Sequence, residues 1–175
     1  TIEEIQNAIL AGQITATDVV RMYLSRIKAY NGPCVNEPEG ILGPVSTIPG
    51  AGQINALMTL NLRPAHRQEW GFGERKARSM TDREDDDPDM PDALEVAGRL
   101  DDAFARTGKL AGQLHGVVFS IKDQYDTFDM RTTLGMDTAY EDDRPPNDAL
   151  VIRKLREAGA IILAKANLGE GGRQR

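Results

Sequence analysis

An α/β fold is predicted by two short apolar runs, a helical pattern between them and a lysine near the end of each run. The first run covers residues 116–121 and delivers Lys122 and Asp123 at its tip. The second, residues 160–163, is wholly apolar and continues into Ala164, Lys165, Ala166 and Asn167. Between them Asn147 or Asp148 can cap a helix with Leu150, Val151, Leu155 and Ala158 facing inward and Gly159 as its stop. Strand, loop, helix, strand is a βαβ crossover, so the strands are expected to be parallel and buried on both faces. Ligands of such sheets bind beyond the carboxyl ends of the strands, where Lys122 and Lys165 both sit.

The remaining elements follow in order. Thr1 with Glu4 has the form of a capping box; Ile2, Ile5 and Ile9 share a helix face, and Gly12 ends it. Thr15 with Asp18 starts a second helix, whose Val20, Tyr23, Leu24 and Ile27 repeat at helical spacing until Tyr30-Asn31-Gly32. This hairpin over 1–31 has one apolar side, and nothing nearby in sequence covers it. Residues 32–53 read as a loop, and residues 54–61 alternate well enough for a short strand. Pro91-Asp92 opens a further helix with Ala93, Val96, Ala97, Leu100, Ala103 and Phe104 on its apolar stripe and Gly108 at its close.

The segment 63–92 is read as a solvated or partly disordered insertion. Its first half is basic (Arg63, Arg67, Arg75, Lys76, Arg78) and its second acidic (Asp82 and Glu84 to Asp92). It lacks the glycine and alternating spacing of a calcium loop. Pairing of its two halves would compact it without giving it a chemical role.

Composition narrows the classes. The chain has 175 residues, 40% apolar and 27% charged, which fits one globular domain of ordinary size. A net charge of -6 disfavours nucleic acid as a partner. Cys34 is the only cysteine, so neither an internal disulfide nor a cysteine zinc cluster is available. No cofactor or metal is expected. No apolar run reaches membrane-spanning length, and a cytoplasmic location is expected. The chain starts on Thr1 rather than methionine, so an upstream segment is expected to be missing.

Lys122 has two readings. A lysine held in a protein interior loses its proton more readily and can serve as a base. Alternatively the strand ends at the surface, with Lys122 turned to water and Asp123 beginning the loop.

The ordered fragments from end to end resemble the amidase signature hydrolases. The specific part is Leu114-His115-Gly116, Ile121-Lys122-Asp123, Arg131-Thr132-Thr133 and Gly135. Asp148-Ala149, the 153–156 and 158–163 stretches, and Lys165-Ala166-Asn167-Leu168-Gly169-Glu170 complete it. The opening helical hairpin and Ile54-Asn55-Ala56 are similar to the family's N-terminal elements. The resemblance implies the N-terminal part of the amidase signature fold, a mixed sheet flanked by helices, incomplete in this chain. On that basis residues 1–175 form a single partial domain: hairpin 1–31, loops, strand and charged insertion 32–91, helix plus βαβ unit 92–170, and tail 171–175.

The resemblance further implies hydrolysis of linear carboxylic amides by a Ser–cis-Ser–Lys triad, with Lys122 at the position of the catalytic lysine. The partner is then a small-molecule amide in a full-length parent, which could be an oligomer. Lys165 is the other candidate and is more often structural in the family. The family's Gly/Ser-rich segment, with both serines and the oxyanion donors, should follow Glu170, where this sequence reads Gly171-Gly172-Arg173-Gln174-Arg175. The serines present are Ser25, Ser46, Ser79 and Ser120. Ser120 would point to the same side of a strand as Lys122, but the family does not use that position. Val118 replaces the usual proline, and Ala164 and Ala166 the usual Gly and Thr. The chain alone is therefore expected to be inactive. The alternatives are a non-catalytic binding fragment and the amide-transferring subunit of a tRNA amidotransferase. A phosphate-binding loop is disfavoured, because Gly169-Glu170-Gly171-Gly172 lacks the Gly-Lys-Ser/Thr ending.

Overall fold

Two capping boxes set the N-terminal hairpin in the computed structural model, which describes residues 1–32, 35–36, 46–50, 54–136 and 142–168. Helix α1 (Ile2–Leu10) is capped by Thr1 with Glu4 and α2 (Ala16–Tyr30) by Thr15 with Asp18, as their spacing predicts. Gly12 takes a positive φ of 67° in the turn between them. The inward stripe of α2 is Ala16, Val19, Val20 and Leu24, while Tyr23 turns to solvent.

Helix α4 (Ala93–Thr107) covers the hairpin. Its Asp92 cap and Glu95 form a third box, and Gly108 closes it in the left-handed region. Ala93 and Ala97 pack with Ala16, Val20 and Leu24 in one buried cluster. The Asp101 carboxylate accepts the Ala16 and Thr17 amides at 2.7 and 3.0 Å and the Thr17 hydroxyl at 2.6 Å. Those amides open α2 and have no partner within it, so an acidic side chain there satisfies donors and complements the helix dipole. The hairpin's cover thus comes from about 80 residues downstream in a fold where such helix pairs bury small side chains.

Strands β3 (Leu57–Leu60), β4 (Val118–Lys122) and β5 (Ile161–Ala166) form a mixed sheet ordered β3-β5-β4. β4 runs parallel to β5 and β3 antiparallel to it. Central β5 is buried along nearly its whole length. Edge strand β4 is not buried on both faces: Ile121 is buried, whereas Ser120 and Lys122 are exposed. A separate two-residue pair joins β1 (Val35–Asn36) to β2 (Ser46–Thr47) inside the region read as a loop. Asn31 ties the end of α2 to β3, its side-chain oxygen accepting the Leu57 amide at 2.9 Å.

Helix α5 (Leu150–Glu157) completes the crossover but presents a different face from the one expected. Ile152 is buried and Leu155 packs beside it, while Leu150 and Val151 are 58% and 48% exposed. Neither Asn147 nor Asp148 is its cap; Ala149 holds that place. The Asp148 carboxylate instead accepts the Phe128 amide and Arg156 Nε. The turn into β5 is tight: a Cβ on Gly112 would lie 2.4 Å from the Ala158 carbonyl oxygen, which explains glycine there.

The segment 63–92 is folded rather than disordered, although Glu84, Asp86, Asp87 and Asp89 of its acidic half are exposed. It contains α3 (Pro64–Glu69), a 3-10 turn Glu74–Lys76, and a buried charge network. Arg78 is fully buried and pairs bidentately with Asp85, itself 3% exposed. Its remaining donor reaches Asn61 Oδ1 at 3.2 Å and the Met90 carbonyl at 3.0 Å. Arg144 bridges Asp82 and Asp85, and Asp143 accepts the Ser79 hydroxyl and Met80 amide. Burying charges is tolerated here because each carboxylate meets a guanidinium, hydroxyl or amide. Cys34, residues 137–141 and residues 169–175 lie outside the described residues.

Candidate active site

The carboxyl ends of β4 and β5 carry the candidate site. Past Lys122 the chain turns at once: its carbonyl accepts the Gln124 and Tyr125 amides at 2.7 and 3.1 Å. The Asp123 amide continues the ladder to the Ala166 carbonyl at 2.8 Å, so the turn is anchored to β5.

Asp123 organises the loop that follows. Its carboxylate, 1% exposed, accepts the Thr133 hydroxyl at 2.5 Å, the Thr133 amide at 3.2 Å and the Gly135 amide at 3.1 Å. Its carbonyl accepts the Leu134 amide at 2.9 Å. Leu134 and Gly135 both take positive φ, 56° and 77°, and these bonds hold that turn. A buried carboxylate surrounded by donors is fully satisfied and acts as a clamp.

Lys165 is the buried lysine of the pair. Its side chain is fully buried, and Nζ donates to the Tyr125 carbonyl and Thr132 Oγ1, each at 2.7 Å. Burial lowers its pKa from the ordinary lysine value to about 8, an effect opposed chiefly by Asp123, whose carboxylate lies 4.0 Å away. Asp123 and Lys165 therefore fasten the two ends of the 123–135 loop to the sheet.

Lys122 occupies the strand tip, as its place in the sequence predicts, but its side chain is exposed. The reason is strand alternation: Phe119 and Ile121 pack with Ile162 and Ile152, which leaves Ser120 and Lys122 on the opposite face. Ser120 and Lys122 thus share a face and both reach solvent. Elsewhere Ser25 donates to the Arg21 carbonyl within α2, and Ser79 donates to Asp143; both hydroxyls serve local structure. Sequence reasoning names Asp123 only as part of a motif and misses its clamp role. The available signal is an acidic residue ten positions before Thr133 at the start of a glycine-containing turn.

Among the described residues no cluster of His, Cys, Asp and Glu is placed to hold a metal ion, and no helix is long and apolar enough to cross a membrane.

A mixed α/β unit with a motif-bearing lysine at a strand end has many hosts, and similarity to known proteins selects one. A family model described as Amidase matches residues 87–174, about half of the chain. The chain belongs to the amidase family. A Schizosaccharomyces pombe protein named "Putative amidase C869.01" is 32% identical over 97% of this chain and 21% of its own length. A glutamyl-tRNA(Gln) amidotransferase subunit from Moorella thermoacetica is 45% identical over 45% of this chain and 16% of its own. The solved structure of native peptide amidase from Stenotrophomonas maltophilia superposes with a TM-score of 0.63 at 28% identity, covering 97% of this chain and 25% of that one. The chain thus spans about a fifth of the length of the first of these curated relatives.

Proposed function

We propose that Lys122 is the base of a Ser–cis-Ser–Lys amidase acting on linear carboxylic amides, and that this chain forms one part of its catalytic domain. The observation that carries this is the position of Lys122: it caps β4 inside the matched region, directly before the Asp123 clamp. In such a triad a neutral lysine takes a proton from the bridging serine, which in turn activates the nucleophilic serine. Backbone amides then stabilise the oxyanion.

A lysine can act in this way near neutral pH only where water is excluded from it. Lys122 is exposed in this chain. The proposal therefore requires the Ser120–Lys122 face to be covered by further parts of a parent enzyme. Those parts also supply both serines, since the family does not use the position of Ser120, and Ser25 and Ser79 are otherwise engaged. A small-molecule amide is the substrate.

The test is hydrolysis of a panel of linear amides by the longest natural polypeptide that contains this sequence. Turnover is expected, with a loss of at least about a hundredfold in Lys122→Ala, the lower range of general-base contributions. Unchanged turnover in that variant overturns the assignment. The 175-residue chain by itself is expected to show no turnover above its Lys122→Ala control.

The similarity to an amidotransferase favours a second reading, in which the ammonia released is passed to an acceptor. Hydrolysis that depends on an acceptor substrate would select it; free hydrolysis of simple amides selects the first.

A further inference from the structure

Arg67 stands apart from the other buried charges of the 63–92 segment. It is 7% exposed, and its Nε is enclosed without a hydrogen-bond partner. Among the described residues its guanidinium forms neither a hydrogen bond nor an ion pair. Two other arginines of the segment are fully engaged: Arg63 is held by Glu95 and two carbonyls, and Arg78 by Asp85, Asn61 and the Met90 carbonyl. A guanidinium keeps its proton in a protein, so burial does not discharge it and it needs acceptors.

Arg67 lines a cavity of about 110 Å³ whose wall, among the described residues, runs from Pro64 to Asp85. That wall is fixed from behind. His66 Nδ1 and Asp92 Oδ2 lie 2.6 Å apart, which fastens α3 to the cap of α4, while Arg78 holds Asp85 and Arg144 holds both Asp82 and Asp85. The spare side-chain hydrogen bonds of the cavity lie on the donor side. Asp85 is taken by Arg78 and Arg144, and Asp82 by Arg144 and the Asp85 amide. Ser79 Oγ gives its proton to Asp143 and accepts the Thr81 and Asp82 amides. Arg67, together with Gln68 and Arg83 at the exposed rim, donates no side-chain hydrogen bond to any described residue. The opposing feature is Glu74, an exposed carboxylate that also lines the cavity.

We infer that this cavity binds a small oxyanion on Arg67, with Gln68 and Arg83 as rim donors. The guanidinium fork matches an oxyanion in charge and in geometry. A volume of about 110 Å³ corresponds to roughly three to four molecules of liquid water, room for an ion of four or five heavy atoms. Phosphate and a short carboxylate share this chemistry, and donors on three separate side chains suit the tetrahedral ion better. The cavity contains neither Lys122 nor any residue of the 123–135 loop, and it precedes the matched region 87–174. The inference is therefore independent of the amidase reading.

Thermal unfolding of the whole 175-residue chain with inorganic phosphate or acetate, at an ionic strength held constant with sodium chloride, tests it. Phosphate is expected to raise the unfolding temperature progressively with concentration, as binding to the folded state requires. A larger shift with phosphate assigns the cavity to tetrahedral ions, and an equal or larger shift with acetate assigns it to carboxylates. Arg67→Met is expected to abolish the shift, and without phosphate to unfold at a higher temperature than the unaltered chain, because an unpaired buried charge has been removed. Arg83→Gln alters only the exposed rim and is expected to weaken phosphate about two- to tenfold in calorimetric titration, the loss of one hydrogen bond. If Arg67→Met does not fold, that titration decides, and undiminished binding by Arg83→Gln overturns the inference. So does the absence of a shift with either anion, or a shift of equal size in Arg67→Met, which marks a general salt effect.

Discussion

The Lys165 ammonium lies 2.7 Å from the Thr132 hydroxyl in a fully buried position, while Lys122, on the neighbouring strand, faces solvent. The two lysines lie one register step apart, because Ile121 pairs with Lys165 and Lys122 with Ala166. That single step places them on opposite faces of the sheet. It separates a structural lysine from a catalytic candidate within one strand pair.

Lys165 gives stability a specific dependence on alkaline pH. Its pKa falls from 10.5 in the unfolded chain to about 8 in the folded one, chiefly through burial. Between these values the unfolded chain holds a proton that the folded chain has released, so stability rises with pH across that window. The contribution is complete above about 10.5, is lost as pH falls through about 8, and amounts to about 3 kcal/mol. Chemical denaturation of the unaltered chain and of Lys165→Met at pH 7 to 10.5 reads it as a difference. The gap between them should change by that amount in favour of the lysine; a constant gap contradicts the assignment.

The secondary structure is legible where local chemistry decides it. The two capping boxes of the hairpin, the Pro91-Asp92 opening, Gly108 and the apolar run of β5 act within a few residues of themselves, and both boxes form. The face of α5 is not legible, because Leu150 and Val151 fit a helical stripe as well as Ile152 does; only the position of β4 and β5 decides between them. Segment 63–92 misleads for a related reason. A run of alternating charge blocks looks solvated unless its partners are known, and these include Arg144 and Asp143, more than 50 residues away. For the site, the strand end and the motif place Lys122, but the burial of Lys165 depends on the 123–135 loop folding over it.

The Arg78–Asp85 pair should be costly to break and cheap to replace. Both side chains are buried, and Asp85 also holds Arg144. Asp85→Ala leaves the Arg78 guanidinium charged and short of acceptors, an expected loss of about 3–5 kcal/mol. Arg78→Met with Asp85→Leu removes both charges and should recover part of that loss. Urea unfolding of Arg78→Met, of Asp85→Leu and of the double variant, read as a cycle, gives the coupling. Additive losses would show that the network contributes no pairwise stability.

His115 should make the fold sensitive to mild acid. Its ring is fully buried beside Phe104, with ring centres 6.0 Å apart. Nδ1 accepts the Ala111 amide at 3.0 Å, which fixes the proton of the neutral ring on Nε2. Protonating Nδ1 would remove that acceptor and place a charge in an apolar setting, and burial accordingly lowers the pKa below the ordinary histidine value. The unfolded chain therefore takes up a proton at a higher pH than the folded chain does. Stability is complete above the ordinary value of 6.5 and is lost as pH falls through the lowered folded value. His115→Asn has no such titration, so its stability relative to the unaltered chain should improve as pH drops from 7.5 towards 5. Thermal unfolding across that range checks it, and parallel curves for the two proteins would mean that His115 titrates alike folded and unfolded.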